Sequence, residues 1–277
     1  MHELPLLIFT LLVQGSVGIT LFLTLAVRKA KTLPAAQRQL LPAMLLACIA
    51  GGLGLVASTL HLGYPLNAFN ALRHVASSWL SREIVFASLY LAVLGLCTLS
   101  MLVRKSPLAL LLPVATLLGL IDVWCMSAIY ASSTVVTWMH FNTWLMFYGA
   151  VGILGAVAMA WLPLLNTPGV MQARTRLLRL AAMLVIAIVA VRLLAQPAYV
   201  HYLASAPLNG VVTLPHQPVE AFNQHGGLRL FSWVASVLGA ILFAFSAWRH
   251  RRNGVLFGGL LLILAEILFR FVFFSIG

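Results

Sequence analysis

Acidic residues are almost missing from this chain: 277 residues include 5 Asp and Glu against 17 Lys and Arg. Charged residues of both signs amount to 8%, where a soluble domain carries about 25%. A chain with so little polar surface cannot cover itself in water, which excludes a soluble globular fold and points to a bilayer as solvent. Cysteine is scarce too. Cys48, Cys97 and Cys125 sit inside apolar runs and form no CxxC, which leaves neither a disulfide framework nor a cysteine ligand set for an iron–sulfur cluster; they read as small buried hydrophobes. Strict apolar/polar alternation is absent, which argues against a membrane β-barrel. No basic segment precedes the first apolar run, which argues against a cleaved signal peptide and for an uncleaved first span. The formal charge of +12 is not read as a nucleic-acid footprint, because the basic residues stand between apolar runs.

What is present is apolar sequence: 62% hydrophobic residues. Eight runs are long enough to cross a bilayer, approximately Leu4–Val27, Leu40–Leu62, Ile84–Val103, Leu108–Tyr130, Phe141–Leu165, Leu177–Gln196, Leu230–Trp248 and Gly254–Ile276. The expected fold is an all-α integral membrane bundle of eight transmembrane helices. Arg28, Lys29, Lys31, Arg38, Arg104, Lys105, Arg174, Arg176, Arg179, Arg249, Arg251 and Arg252 then all fall at one end of the bundle. The other end holds Arg73, Arg82 and Arg229, partly offset by Glu3, Glu83 and Glu220. By the positive-inside bias both termini are expected on the outer, periplasmic side, and a missed span would scramble the asymmetry. The chain reads as a single membrane domain over residues 1–277, with a weak echo that divides it near 1–131 and 139–277. Met1-His2 and Met139-His140 each precede Leu and Phe at equal offsets (Leu7 and Phe9, Leu145 and Phe147); chance similarity between apolar segments explains the echo equally well.

Ionisable residues inside a membrane are costly and often functional. Glu266 and Arg270, four apart in the last run, share a helix face and are expected to form a structural ion pair. Asp122 lies inside the fourth run. Arg192, near the outer end of the sixth, is a candidate partner, but its long side chain equally suits an outward reach to the interface. A structural pair and a proton-pathway group are both open readings of Asp122. Of the eight histidines, no two stand in the centres of separate runs, so no haem is expected. Tyr130, Trp138, Trp144, Tyr148, Tyr199 and Tyr202 gather near the outer ends and read as an interfacial aromatic belt.

The stretch Ala57–Phe86 is the most polar interruption of the outer end. His61 closes the second run, Gly63 and Pro65 break it, and Asn67, Asn70, Arg73 and His74 follow. Ser78 and Ser81 are candidate caps for the third run just ahead of Glu83. A histidine and a carboxylate at consecutive helix ends suit quinol oxidation, because a quinol sheds two protons with its two electrons and each group can accept one. On spacing alone, a helix cap beside a loop histidine explains these residues more simply.

The opening HELPLLIFT, the loop LHLGYPLNAFNALR followed by SREI, and the late AEILFR resemble the membrane-anchor subunit of bacterial dimethyl sulfoxide reductases, within the wider polysulfide reductase-type anchors. The resemblance spans essentially the whole chain. It implies a subunit of the bacterial inner membrane that binds and oxidises menaquinol in anaerobic respiration and carries no haem and no iron–sulfur cluster of its own. It further implies an iron–sulfur partner bearing 4Fe–4S clusters and a molybdopterin catalytic subunit holding the molybdenum cofactor. The family's quinol-site histidine and glutamate correspond to His61 and Glu83, and Gly63, Pro65, Phe69 and Asn70 match the loop around them. Asn67 stands where an arginine is expected, and Asp122 where an apolar residue is usual. The expected quinol site is therefore His61, Glu83, Gly63, Pro65, Asn67 and Arg73, with His61 and Glu83 as the reacting groups. Competing readings are an anchor for another acceptor (polysulfide, tetrathionate or selenate), an anchor without a quinone site, and a secondary transporter. The last predicts broken helices near the midplane, whereas the polar cluster here lies at one end.

Overall fold

The computed structural model describes residues 4–30, 33–60, 72–105, 110–162, 164–206 and 215–277. Its elements, in chain order, are α1 (Leu4–Ala30), α2 (Pro34–Arg38), α3 (Leu41–Leu60), a 3₁₀ turn (Leu72–His74), α4 (Trp79–Arg104), α5 (Leu111–Ala131), α6 (Asn142–Trp161), α7 (Met171–Ser205), α8 (Pro218–Gln224), α9 (Gly226–Trp248) and α10 (Arg252–Ser275). Among the described residues there are no strands, and eight helices are long and apolar enough to cross a membrane.

Side chains such as Leu96, Leu99, Leu117, Leu194 and Phe257 are exposed within the helices, as expected where lipid is the solvent. In lipid, helices gain little by hiding leucines from one another, so association depends on close backbone approach and interhelical hydrogen bonds. Both devices are present. α1 packs along α3, α5, α6 and α10 and forms the hub of the bundle. It touches α6 backbone to backbone at Gly18 and Gly155: a Cβ on Gly155 would stand 2.5 Å from Gly18 O, and one on Gly18 would stand 2.8 Å from Gly155 N. α9 and α10 meet the same way, with a Cβ on Gly258 falling 2.6 Å from Phe243 N. Hydroxyls add the second device. Ser16 Oγ donates to Ala47 O at 2.6 Å, and the Thr24 and Thr116 hydroxyls join α1 to α5 at 2.7 Å.

Two boundaries depart from expectation. α4 begins at Trp79, earlier than Ile84, and α7 runs 35 residues, through Pro197 to Ser205. At about 1.5 Å per residue α7 spans roughly 52 Å, far beyond a hydrocarbon core of about 30 Å. Pro197 removes one backbone donor, a loss that water or a neighbour can offset where the helix leaves the core. The emergent turn places Tyr199 on Phe222 of α8 and lets its hydroxyl donate to Thr137 O at 2.7 Å. The C-terminus is fixed at this end of the bundle: Trp138 Nε1 donates to Phe273 O and the Thr137 hydroxyl to Ile276 O.

Candidate functional site

The start of α4 is organised by its own first turn. Ser78 is extended at the N-cap and its Oγ accepts from the Ser81 N–H at 3.4 Å. Arg82 turns back from the helix, donating to Val75 O at 2.9 Å and Ala76 O at 2.5 Å while its guanidinium lies 4.3 Å from the Trp79 ring centre. Arg82 thus ties the preceding turn to the helix and, among the described residues, makes no ion pair with its neighbour Glu83. Because α4 starts early, Glu83 lies in its second turn and points into the bundle. It is 4% exposed, and its Oε1 has no hydrogen-bond partner among the described residues.

A second carboxyl lies within electrostatic reach. Asp122 of α5, which packs along α4, is 0% exposed, and neither of its oxygens has a partner among the described residues. Glu83 is four residues past the start of α4 and Asp122 nine before the end of α5. At about 1.5 Å per residue the two sit roughly 6 and 14 Å from the same end of the bundle. Cys125, Tyr130 and Tyr148 also feel the charge of one or both. Tyr90, two turns below Glu83 on α4, bonds the Ser16 hydroxyl at 2.6 Å and the Thr20 hydroxyl at 2.9 Å. Polar groups therefore lead inward from the helix end along α4, α5 and α1. An isolated carboxylate is expensive in a dry interior, and binding a proton relieves that cost. Two such groups within electrostatic reach of one another, neither in an ion pair among the described residues, are equipped to take up and hand on protons.

The expected site is only partly in view. His61, Gly63, Pro65 and Asn67, with Phe69 and Asn70, lie in residues 61–71, outside the described residues. That segment joins the end of α3 to the turn before α4. Arg73 sits in that turn, exposed, and forms no ion pair with Glu83 among the described residues.

The expected pairing of Glu266 with Arg270 is corrected. Glu266 pairs with Arg192 of α7, whose Nη1 donates to Oε1 at 2.5 Å and Nη2 to Oε2 at 3.2 Å; the two residues are 2% and 1% exposed. Arg192 also donates to Leu145 O and Met146 O of α6, across Gly149, where any Cβ would stand 2.5 Å from its Nε. Arg270 turns the other way, donating to Gln14 Oε1 at 2.6 Å with its guanidinium 3.9 Å from the Phe147 ring centre. The reason is geometric: Arg192 meets the carboxylate with two donors at once, which an i,i+4 neighbour on the same helix does not match. Arg192 is therefore spoken for, and it does not partner Asp122.

The aromatic residues near this end are more than an interfacial belt. Tyr130 is buried among Trp138, Phe147, Phe273 and Phe274 at centroid distances of 5.2–5.6 Å. His140 packs at a tilt against Tyr199 and Tyr202, with ring centroids 5.3 and 4.8 Å away, its Nδ1 accepting from the Asn142 N–H at 3.1 Å. Burial pushes its imidazole below the ordinary value of 6.5, which favours the neutral ring.

The geometry defines a multi-pass helical membrane protein with a carboxyl pair sunk beneath one end of its bundle. The family model for the DMSO reductase anchor subunit (DmsC) matches residues 1–276, and the chain belongs to that family. It is 38% identical over 162 residues to the YnfH subunit of an anaerobic dimethyl sulfoxide reductase of Escherichia coli, covering 57% of each protein. It is 42% identical over 141 residues to the C subunit of an anaerobic dimethyl sulfoxide reductase of the same organism, covering 50% of this protein and 49% of that one. With the corresponding C subunit of Haemophilus influenzae it shares 28% identity over 243 residues, 86% of this protein and 84% of the relative. The alignments thus span about half the length of the two E. coli relatives. No solved structure matches it.

Proposed function

We propose that this chain is the quinol-oxidising membrane anchor of a molybdenum-dependent reductase, and that menaquinol reacts at the outer end of α3 and α4. The observation that carries the reading is Glu83: a buried carboxyl that forms no ion pair among the described residues, one loop away from His61 in the sequence. Membership of the anchor family supports the partners. In this reading the quinol gives up two electrons and two protons and leaves as quinone. His61 binds one quinol oxygen and accepts a proton there. Glu83 accepts the second, with Asp122 beneath it sharing the charge of the carboxyl pocket, and protons leave toward the outer water past the Leu72–His74 turn. Histidine suits the first role because its ordinary pKa of about 6.5 permits both states near neutrality. Electrons pass to an iron–sulfur subunit docked on the same end, and a molybdopterin subunit delivers them to the terminal acceptor. Both termini face the periplasmic side of the bacterial inner membrane, as the basic residues at the opposite end argue.

The test compares two electron donors. The assembled complex should reduce dimethyl sulfoxide with either menaquinol or a reduced viologen. Partner subunits released from the membrane without this chain should keep the viologen reaction and lose the menaquinol one. Equal menaquinol-driven rates with and without this chain would defeat the proposal.

A further inference from the structure

At the opposite, basic end of the bundle the structure contains a cavity of about 500 Å³ between the ends of α6, α7, α9 and α10. Its polar lining includes Arg174, Arg252, His250 and Asn166; its apolar wall includes Trp161 and Leu256. Arg174 is held in place by the end of α6, its guanidinium donating to Leu164 O at 2.7 Å, Leu162 O at 3.2 Å and Ala160 O at 3.5 Å. Arg252 lies within electrostatic reach of it and opens α10, whose N-terminus has no side-chain cap and no acidic residue in its first turn. That end contributes further positive potential. Among the described residues no acidic side chain pairs with either arginine, and Glu266 of α10 lies fourteen residues along the helix, about 21 Å from Arg252. The Trp161 indole N–H, buried on the cavity wall, has no partner among the described residues.

We propose that this cavity binds the phosphate group of an anionic phospholipid. Two arginines that repel one another, one of them locked against a helix end, call for an anion between them. A free phosphate would satisfy the charge but not the wall. The apolar side formed by Trp161, Leu178, Val255 and Leu256 suits the glycerol and first acyl carbons of a lipid whose phosphate sits on the arginines. The site lies at the end that the charge bias assigns to the inside, where basic pockets between helices meet lipid headgroups.

The test uses the full chain purified in its complex, delipidated in a non-ionic detergent and titrated with phosphatidylglycerol, phosphatidylcholine or inorganic phosphate while thermal unfolding is followed. Phosphatidylglycerol should raise the unfolding temperature, with phosphatidylcholine and phosphate giving far smaller shifts. Arg174→Gln should weaken the phosphatidylglycerol response about tenfold or more in half-saturating concentration. Because Arg174 also closes the end of α6, Arg252→Gln, an exposed position, is the control for folding and should weaken the response in the same direction. Equal responses to the two lipids, an equal response to phosphate, or a response unchanged in Arg252→Gln would each overturn the proposal.

Discussion

Two isosteric substitutions that each remove one carboxyl should have very unequal consequences. In Glu266→Gln the variant leaves Arg192 buried with no counter-ion, since the other hydrogen-bond acceptors of its guanidinium among the described residues are the carbonyls of Leu145 and Met146. Breaking a buried pair by deleting one partner costs about 3–5 kcal/mol. For a chain of this size that corresponds to a fall in unfolding temperature on the order of 10 °C. Asp122→Asn removes a carboxyl that has no partner among the described residues. A neutral amide replaces a side chain that makes no hydrogen bond among the described residues, so the change in stability should stay within about 1 kcal/mol of zero. Reaction of a thiol-specific fluorophore with Cys97 and Cys125, both buried, reports unfolding as purified protein is heated. A loss of about 3 kcal/mol or more in Asp122→Asn would mean that a cation holds Asp122, and the account of an unpaired carboxyl pocket would fail. A Glu266→Gln variant as stable as the parent would refute the buried pair.

Three further outcomes are expected. Gly18→Val should prevent folded protein from accumulating, because its side chain would enter the backbone of α6 at Val151 and Gly155; normal yield of a thermally stable variant would contradict the α1–α6 contact. His140 should make stability pH-dependent: its folded pKa is depressed by burial, so the unfolded chain binds the proton more readily. Its contribution is then present above about pH 6.5 and lost as pH falls through the folded value; thermal unfolding of His140→Phe should lose this part of the acid slope, and an unaltered slope would contradict it. A periplasm-active reporter fused after Gly277 or placed at residues 75–77 should be active, and one placed at residues 249–251 inactive; the reverse pattern would invert the topology.

Much of this architecture is legible in the residues alone. A span in lipid must satisfy its backbone internally, so a run such as Leu4–Val27 has one choice, and Ser78 announces the start of α4 by its chemistry. The contacts between helices are not written so openly. Glu266 has Arg270 at a visible helical spacing, yet its partner is Arg192, 74 residues earlier, chosen by the way α7 and α10 lie against α6. Asp122 comes within electrostatic reach of Glu83 because α4 and α5 are packed neighbours; the sequence puts both carboxyls toward the same end of the bundle without showing that their helices touch. The length of α7 was hidden by Pro197, a helix breaker in the interior that is tolerated near a membrane surface. Nothing in the sequence around Gly18 and Gly155 pairs them; the close approach of their backbones appears only in the fold.

The central claim is that Glu83 takes a proton from quinol, and it is tested most directly by Glu83→Gln in the assembled complex. The amide keeps the shape of the side chain in its buried position, so assembly should be unchanged. Menaquinol-driven turnover should fall by about 100-fold, the lower range of what a positioned acid–base group contributes, while viologen-driven turnover of the same preparation stays at the parental rate. Parental menaquinol-driven turnover in Glu83→Gln would show that Glu83 only packs the start of α4, and would contradict the site assigned here.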